Sequence, residues 1–290
     1  MAKAAAHPES GPARSRTIVI TGASSGIVRA AAIALAKNGA EIAIVGRHPQ
    51  RTAAVAAETG GTAFLADFDR LDEVRDLAIA LASSYERIDV LANNAGGLTA
   101  KRRLTVDGFE RTVQANHLAP FLLTSLLLPR LVASGARVIS TSSVANRFGS
   151  IKLDDLNFMT RLWLGGWRAY GASKLMAIAF MRELALRESG TQLTAYSFHP
   201  GFVATGFGAE SALVGFVSAM NPGGYGVSPE EGAAPLIHLS SALKITSPSG
   251  THFNRFSPNT GMRRQARSAP LAAKLWQRSE QVLDRWLAPL

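Results

Sequence analysis

Tyr170 and Lys174 stand four residues apart in the run Tyr170-Gly171-Ala172-Ser173-Lys174. On a helix that spacing puts both side chains on one face, so a phenol and an ammonium group project together. A phenol with its ordinary pKa of about 10 is a poor acid or base at neutral pH unless a cation favours its ionised form. Lys174 can be that cation. Such a pair can give a proton to a carbonyl oxygen as hydride reaches the carbon, or take one from an alcohol in the reverse direction. The same spacing also describes an exposed Tyr and Lys on any amphipathic helix, so its meaning depends on its surroundings.

A second chemical element lies near the start. Thr17 to Ile20 is β-branched, Thr21-Gly22-Ala23-Ser24-Ser25-Gly26-Ile27 follows, and Val28 to Lys37 is rich in Ala before Asn38-Gly39. The order reads as strand, tight turn and helix, with Asn-Gly ending the helix. Backbone N–H groups of Gly22, Ser24, Ser25, Gly26 and Ile27, together with the positive helix end, can then face a pyrophosphate. Glycine at 22 and 26 permits the close approach. A glycine pair alone is weak evidence for a nucleotide site, because many turns carry Gly and Ser; its place between a strand and an Ala-rich helix strengthens the reading.

The elements that must carry these groups alternate. Strands are expected at Thr17–Ile20, Glu41–Val45, Thr62–Ala66, Ile88–Ala92, Arg137–Thr141 and Gln192–Phe198. Helices are expected near Pro49–Glu58, Leu71–Ser83, Val106–Val132 and Arg168–Glu188. This pattern predicts an α/β fold: a Rossmann-type, doubly wound parallel sheet in three α/β/α layers, forming a single domain. Residues 1–15 read as a flexible N-terminal tail from their Ala, Pro, Ser and Gly content, residues 16–256 as the dinucleotide-binding domain with the catalytic site, and residues 257–290 as a C-terminal helical extension. Between Gly201 and Pro229 the chain is Gly-rich with scattered Phe, Leu and Met; a mobile substrate lid and an ordinary surface loop with small helices are equally consistent with it.

Bulk composition narrows the class. With 47% hydrophobic and 18% charged residues the chain can bury one large core. The absence of Cys excludes disulfides, thiolate metal sites and a Cys nucleophile, and fits a reducing cytoplasm. The net charge of +10 is spread over many segments without a long basic run or a nucleic-acid recognition motif, so it reads as a basic solvated surface. The apolar stretch from Leu118 to Leu128 is shorter than the roughly 20 residues a membrane span needs and reads as a buried helix. No metal site is expected.

Four motifs in order resemble the short-chain dehydrogenase/reductase family: Thr21 to Ile27, then Asn93-Asn94-Ala95-Gly96 after strand four, then Tyr170 to Lys174, then His199-Pro200-Gly201. The resemblance runs from about Thr17 to Phe253. Asn116-His117-Leu118, with the Leu-rich helix, and Leu275-Trp276-Gln277-Arg278-Ser279 resemble its retinol-dehydrogenase-like branch. The resemblance implies a catalytic set of Asn116, a serine at the end of strand five, Tyr170 and Lys174. Ser140, Ser142 and Ser143 are candidates for that serine; register against Gly149 selects Ser143, with Ser142 the runner-up. It further implies that Asp67 and Phe68 contact adenine, that Asn94, Ala95 and Gly96 line the central cleft, and that Pro200, Gly201, Val203 and Thr205 lie beside the nicotinamide and pyrophosphate.

Cofactor choice depends on what meets the adenosine ribose. An acid at the end of strand two suits a free hydroxyl and a cation suits a 2′-phosphate; here the strand ends Val45-Gly46-Arg47-His48. Arg47 points to NADP, with NAD the alternative if Arg47 is a solvated bystander. One departure stands out: the family's third glycine is Val28 in this chain, and a glycine there lets the helix lie close to strand and cofactor. Val28 motivates a second reading, a nucleotide-binding redox sensor or scaffold with little turnover. The segment Ile151 to Trp167, with Leu153, Leu156, Phe158, Leu162, Trp163 and Trp167, either walls an apolar pocket or packs as an added lobe. The expected partner is a small carbonyl or alcohol, and helix packing through Leu118 to Leu131 suggests a homodimer or homotetramer.

Overall fold

The computed structural model describes residues 16–201 and 227–288. The expected N-terminal tail and the cofactor candidates Val203 and Thr205 lie outside the described residues. β1 (Thr17–Thr21) is buried along its whole length, as a parallel strand covered on both faces must be. It is followed by α1 (Gly26–Lys37), β2 (Glu41–Gly46), α2 (Pro49–Thr59), β3 (Thr62–Leu65), α3 (Leu71–Ser84) and β4 (Val90–Asn93). The next helix, α4, runs in three consecutive stretches: α-helical Arg111–Val113, π-helical Gln114–Leu118 and α-helical Ala119–Ala133. Then come β5 (Arg137–Thr141), α5 (Trp167–Arg187), β6 (Thr194–His199), α6 (Pro229–Ser241), β7 (His252–Asn254), β8 (Ser257–Pro258) and α7 (Ala269–Leu283).

The described strands form one sheet in the order β3-β2-β1-β4-β5-β6-β7-β8. All neighbours are parallel except β8, which returns antiparallel to β7. The order reverses between β1 and β4, and ligands of such sheets bind in the crevice at the carboxyl ends of the strands around that reversal. One apolar layer joins α1, α2 and α6 to the sheet through Ile18, Ile20, Leu35, Val55 and Leu236. The other joins α3, α4, α5 and α7 through Leu77, Leu122, Met176 and Leu275. The result is the expected single three-layer domain.

Four features depart from the sequence reading. The long helix begins at Arg111 and not near Val106, because Gly108 turns the chain at φ 85° and Leu104 pairs with Glu110 across the turn. The buried Glu110 carboxylate then caps the helix, accepting from Thr112 N and Val113 N at 2.9 Å each. The sheet extends past β6 by β7 and β8, which are too short to show a strand period. α6 is also new, although Ser228 and Glu231 form a capping box at its start. Finally, the apolar face from Leu118 to Leu131, expected to pack between copies of the chain, is buried within this one against α3, α5 and α7.

Candidate active site

The crevice is built by turns at the carboxyl ends of β1, β4, β5 and β6. After β1, Gly22 adopts φ 73° and its N–H donates to Val45 O at 2.9 Å, tying the turn to the end of β2. A Cβ at Gly22 would lie 2.8 Å from Ala95 Cα, so only glycine lets the first turn touch the Asn94–Gly96 turn. Thr21 Oγ1 binds that turn from below, accepting from Asn94 N and Ala95 N at 3.0 Å each. Asn94 is held by Thr141 at the end of β5, whose hydroxyl donates to Asn94 Oδ1.

Whether this crevice suits a dinucleotide can be tested on α1. Ser25 precedes the helix without a capping side-chain bond, and the first turn carries no acid. Its leading N–H groups and positive end are therefore available to an anion. Ser25 is exposed beside it and Ser24 half-buried. Arg47, at the end of β2, is exposed and has no ion pair among the described residues. Phe68 is buried, and Asp67 accepts from Asp69 N at 3.1 Å. Val28 is also buried, in the apolar layer between α1 and the sheet. The donors fit a pyrophosphate.

On the other side of the crevice, close backbone contact brings the serine loop onto α5. A Cβ on Gly149 would overlap the Gly171 carbonyl, and one on Gly171 would come within 2.7 Å of Ala145 O. With glycine at both positions, the turn after β5 lies on the first turn of α5. Ser143 thereby meets Tyr170 in a hydrogen bond that lowers the phenol's pKa, yet burial dominates and pushes it up to about 12. Ser142 is committed elsewhere, donating to Lys174 O at 2.8 Å. Ser140 is buried within β5.

Lys174 lies on the same helix face as Tyr170, with Nζ 5.6 Å from the centre of the phenol ring. Its acceptor among the described residues is Thr141 O, at 2.9 Å. An ammonium has three N–H groups, so two remain for a further partner in the crevice. Burial lowers the Lys174 pKa to about 8. In the phenol itself, burial and the Ser143 hydrogen bond act in opposite directions, and burial is the larger.

Asn116 occupies the π-helical stretch, a geometry that occurs mostly as single turns within α-helices. Its Nδ2 donates to Gly97 O at 3.0 Å and Ser173 Oγ at 2.9 Å, while its Oδ1 accepts from Gly97 N at 2.8 Å. Pro200 and Gly201 follow β6 at the same end of the sheet, Gly201 with φ 98° and Arg255 packed against it. Trp167 stands edge-on to Tyr170, ring centres 6.0 Å apart. The rest of the inserted segment divides: Ile151, Leu156 and Phe158 pack into the core, whereas Leu162 and Leu164 face solvent. Sequence reasoning missed Thr21, Thr141, Ser173 and Gly97. Thr21, Thr141 and Ser173 sit inside strings already singled out, but their contacts cross between elements.

The family model for short chain dehydrogenases matches residues 16–155. The provisionally assigned daunorubicin C-13 ketoreductase DnrU of Streptomyces sp. (strain C5) is 42% identical over 91% of this chain and 91% of its own length. The chain belongs to the short-chain dehydrogenase/reductase family. Human retinol dehydrogenase 13, 33% identical over 92% of this chain and 84% of its own, places this dehydrogenase/reductase in the retinol-dehydrogenase-like branch. A crystal structure of an uncharacterized protein from Mycobacterium paratuberculosis superposes with a TM-score of 0.77 at 32% identity, covering 95% of this chain and 96% of the other. The Pseudomonas aeruginosa RhlG/NADP active-site complex does so with 0.66 at 27%, covering 83% and 94%. This short-chain dehydrogenase/reductase is an NAD(P)-dependent oxidoreductase acting on CH–OH and C=O groups. Among the described residues no helix is long and apolar enough to cross a membrane, and no cluster of three or more potential metal ligands occurs.

Proposed function

We propose that this enzyme reduces an apolar carbonyl compound with NADPH, Tyr170 supplying the proton. The observation that carries the reading is the buried Tyr170, bonded to Ser143 and sharing a helix face with the Lys174 ammonium. The nicotinamide, when bound, supplies the hydride. Every other task falls to the chain. Ser143 and Tyr170 hold the carbonyl oxygen, and Tyr170 transfers its hydroxyl proton there as negative charge develops. A phenol kept protonated by burial suits that direction. Lys174 donates its remaining N–H groups to the nicotinamide ribose and, as a cation, favours the tyrosinate left after transfer.

Gly22, Ser24, Ser25, Gly26 and Ile27 would hold the pyrophosphate, Asp67 and Phe68 the adenine, and Asn94, Ala95 and Gly96 the centre of the dinucleotide. Pro200 and Gly201 would border the nicotinamide. The exposed, unpaired Arg47 supports NADP, since a guanidinium can bind a 2′-phosphate in a fork. Trp167 beside Tyr170 supports an apolar substrate, and the ketoreductase in the name of DnrU supports a carbonyl group. Asn116 holds the start of α5 through Ser173.

The test is Tyr170→Phe, assayed by NADPH consumption on acetophenone, hexanal and menadione. Turnover is expected to fall by about 100-fold or more, with NADPH binding retained. Full turnover in the variant would refute the reading. Tight NADPH binding by the wild-type protein with no turnover on any probe would favour the sensor or scaffold.

A further inference from the structure

Two motifs from distant parts of the chain, Asn116-His117-Leu118 and Leu275 to Ser279, meet in the interior. His117 Nε2 lies 2.9 Å from Ser279 Oγ, and both side chains are fully buried. The Ser279 hydroxyl hydrogen is committed, because Oγ donates to Leu275 O at 2.9 Å. Ser279 can therefore only accept from His117, which fixes the proton on Nε2 and leaves Nδ1 as an unprotonated nitrogen without a partner. Burial lowers the His117 pKa to about 3, so the ring is neutral.

Around this bond α7 closes an aromatic box. Phe121, Phe180 and Trp276 pack on one another with ring centres 4.9 to 5.6 Å apart, and His117 lies 6.1 Å from Phe121 and 6.2 Å from Phe180. A leucine would fill such a site without burying an orphaned nitrogen. What histidine adds is one directed bond. That bond acts on the π-helical stretch, a geometry seldom stable without outside support.

His117 is one residue from Asn116, and the two side chains reach different partners: His117 meets Ser279 on α7, Asn116 meets Gly97 and Ser173. Ser173 Oγ in turn donates to Tyr170 O at 2.8 Å. An unbroken path thus runs from α7 through the π-helical stretch to the backbone of Tyr170.

We propose that His117 and Ser279 are positioning residues: their bond lets the C-terminal helix hold the π-helical stretch in register, and so holds Asn116, Ser173 and Tyr170 in reacting geometry. This rests on the reading of Tyr170 as proton donor. His117→Leu and Ser279→Ala each break the bond, while His117→Gln keeps a terminal N–H able to reach Ser279. Each variant is assayed with NADPH and menadione, well below its own unfolding midpoint, and NADPH affinity is titrated separately.

The expected result is a loss of about tenfold in kcat for His117→Leu and Ser279→Ala, since small misplacements of reacting groups carry penalties of that size. NADPH affinity should change less than about twofold, and His117→Gln should recover most of the rate. The inference is overturned if the folded Leu or Ala variant keeps wild-type kcat while its thermal midpoint drops, if kcat and NADPH affinity fall together, or if Gln is no better than Leu. Should His117→Leu fail to fold, Ser279→Ala carries the comparison against His117→Gln. Tyr170→Phe run alongside separates the two ideas: activity retained there defeats the proton-donor reading itself, whereas an inactive Tyr170→Phe beside a fully active Ser279→Ala defeats only the positioning role.

Discussion

Replacing Lys174 by Met should make the cofactor-free protein more stable while disabling it. Lys174 is 5% exposed, and burial brings its pKa from 10.5 to about 8. A depression of that size corresponds to about 3 kcal/mol of destabilisation by the buried charge below pH 8. Methionine has a similar length and no charge to desolvate. Against this stands the lost bond to Thr141 O, with a carbonyl left unpaired, at about 1–2 kcal/mol. The net gain is about 1–2 kcal/mol, or roughly 2–3 °C in unfolding midpoint for a chain of this size.

The pH dependence has a definite sign. Between about pH 8 and 10.5 the unfolded lysine holds a proton that the folded one has released, so wild-type stability from this group rises through that window. The advantage of Lys174→Met must accordingly be full below pH 8 and shrink towards pH 10.5. Thermal unfolding of both proteins at several pH values measures it. A variant no more stable than wild type at neutral pH, or a gain that persists unchanged at high pH, would refute the claim that a buried charge is being held at a cost for function.

The same titration predicts that carbonyl reduction is flat below about pH 8 and declines above it as Lys174 loses its proton; a rate that rises there would contradict the role of the ammonium. Ser143→Ala should lower kcat on menadione by about tenfold or more, whereas Ser142→Ala should leave kcat near wild type and lower the unfolding midpoint, because Ser142 is tied to the Lys174 carbonyl. Val28→Gly removes a buried side chain from the layer between α1 and the sheet and should cost about 2–3 kcal/mol in denaturant unfolding; tighter NADPH binding in that variant would instead mean that Val28 crowds the cofactor. Arg47→Ala should weaken NADPH by about tenfold and leave NADH unchanged; an equal loss for both would remove Arg47 from the 2′-phosphate.

Much was legible along the chain because it depends on near neighbours. The i,i+4 spacing of Tyr170 and Lys174 needs only a helix, and the turn from Gly22 to Gly26 needs only a strand before it and a helix after it. Strand and helix alternation likewise follows from local apolar period, and it implied the parallel sheet by way of crossover handedness. The misses were local too where a weak signal competed with a stronger one. Val106 extended an apolar run that Gly108 in fact interrupts, and β7 is only three residues long.

What the amino-acid order settled by itself was the chemistry on offer: a phenol and an ammonium on one helix face, a glycine turn open to phosphate, no thiol. Only the tertiary structure set Ser143 against Tyr170 and Ser142 against the Lys174 carbonyl, because Gly149 and Gly171 allow two backbones to touch. It alone set the direction of the pKa shifts, since desolvation depends on everything packed around a group and not on its sequence neighbours. And it alone joined His117 to Ser279 across 162 positions, a contact that arises from how α7 lies over α4 and α5 and leaves no periodic trace in either segment.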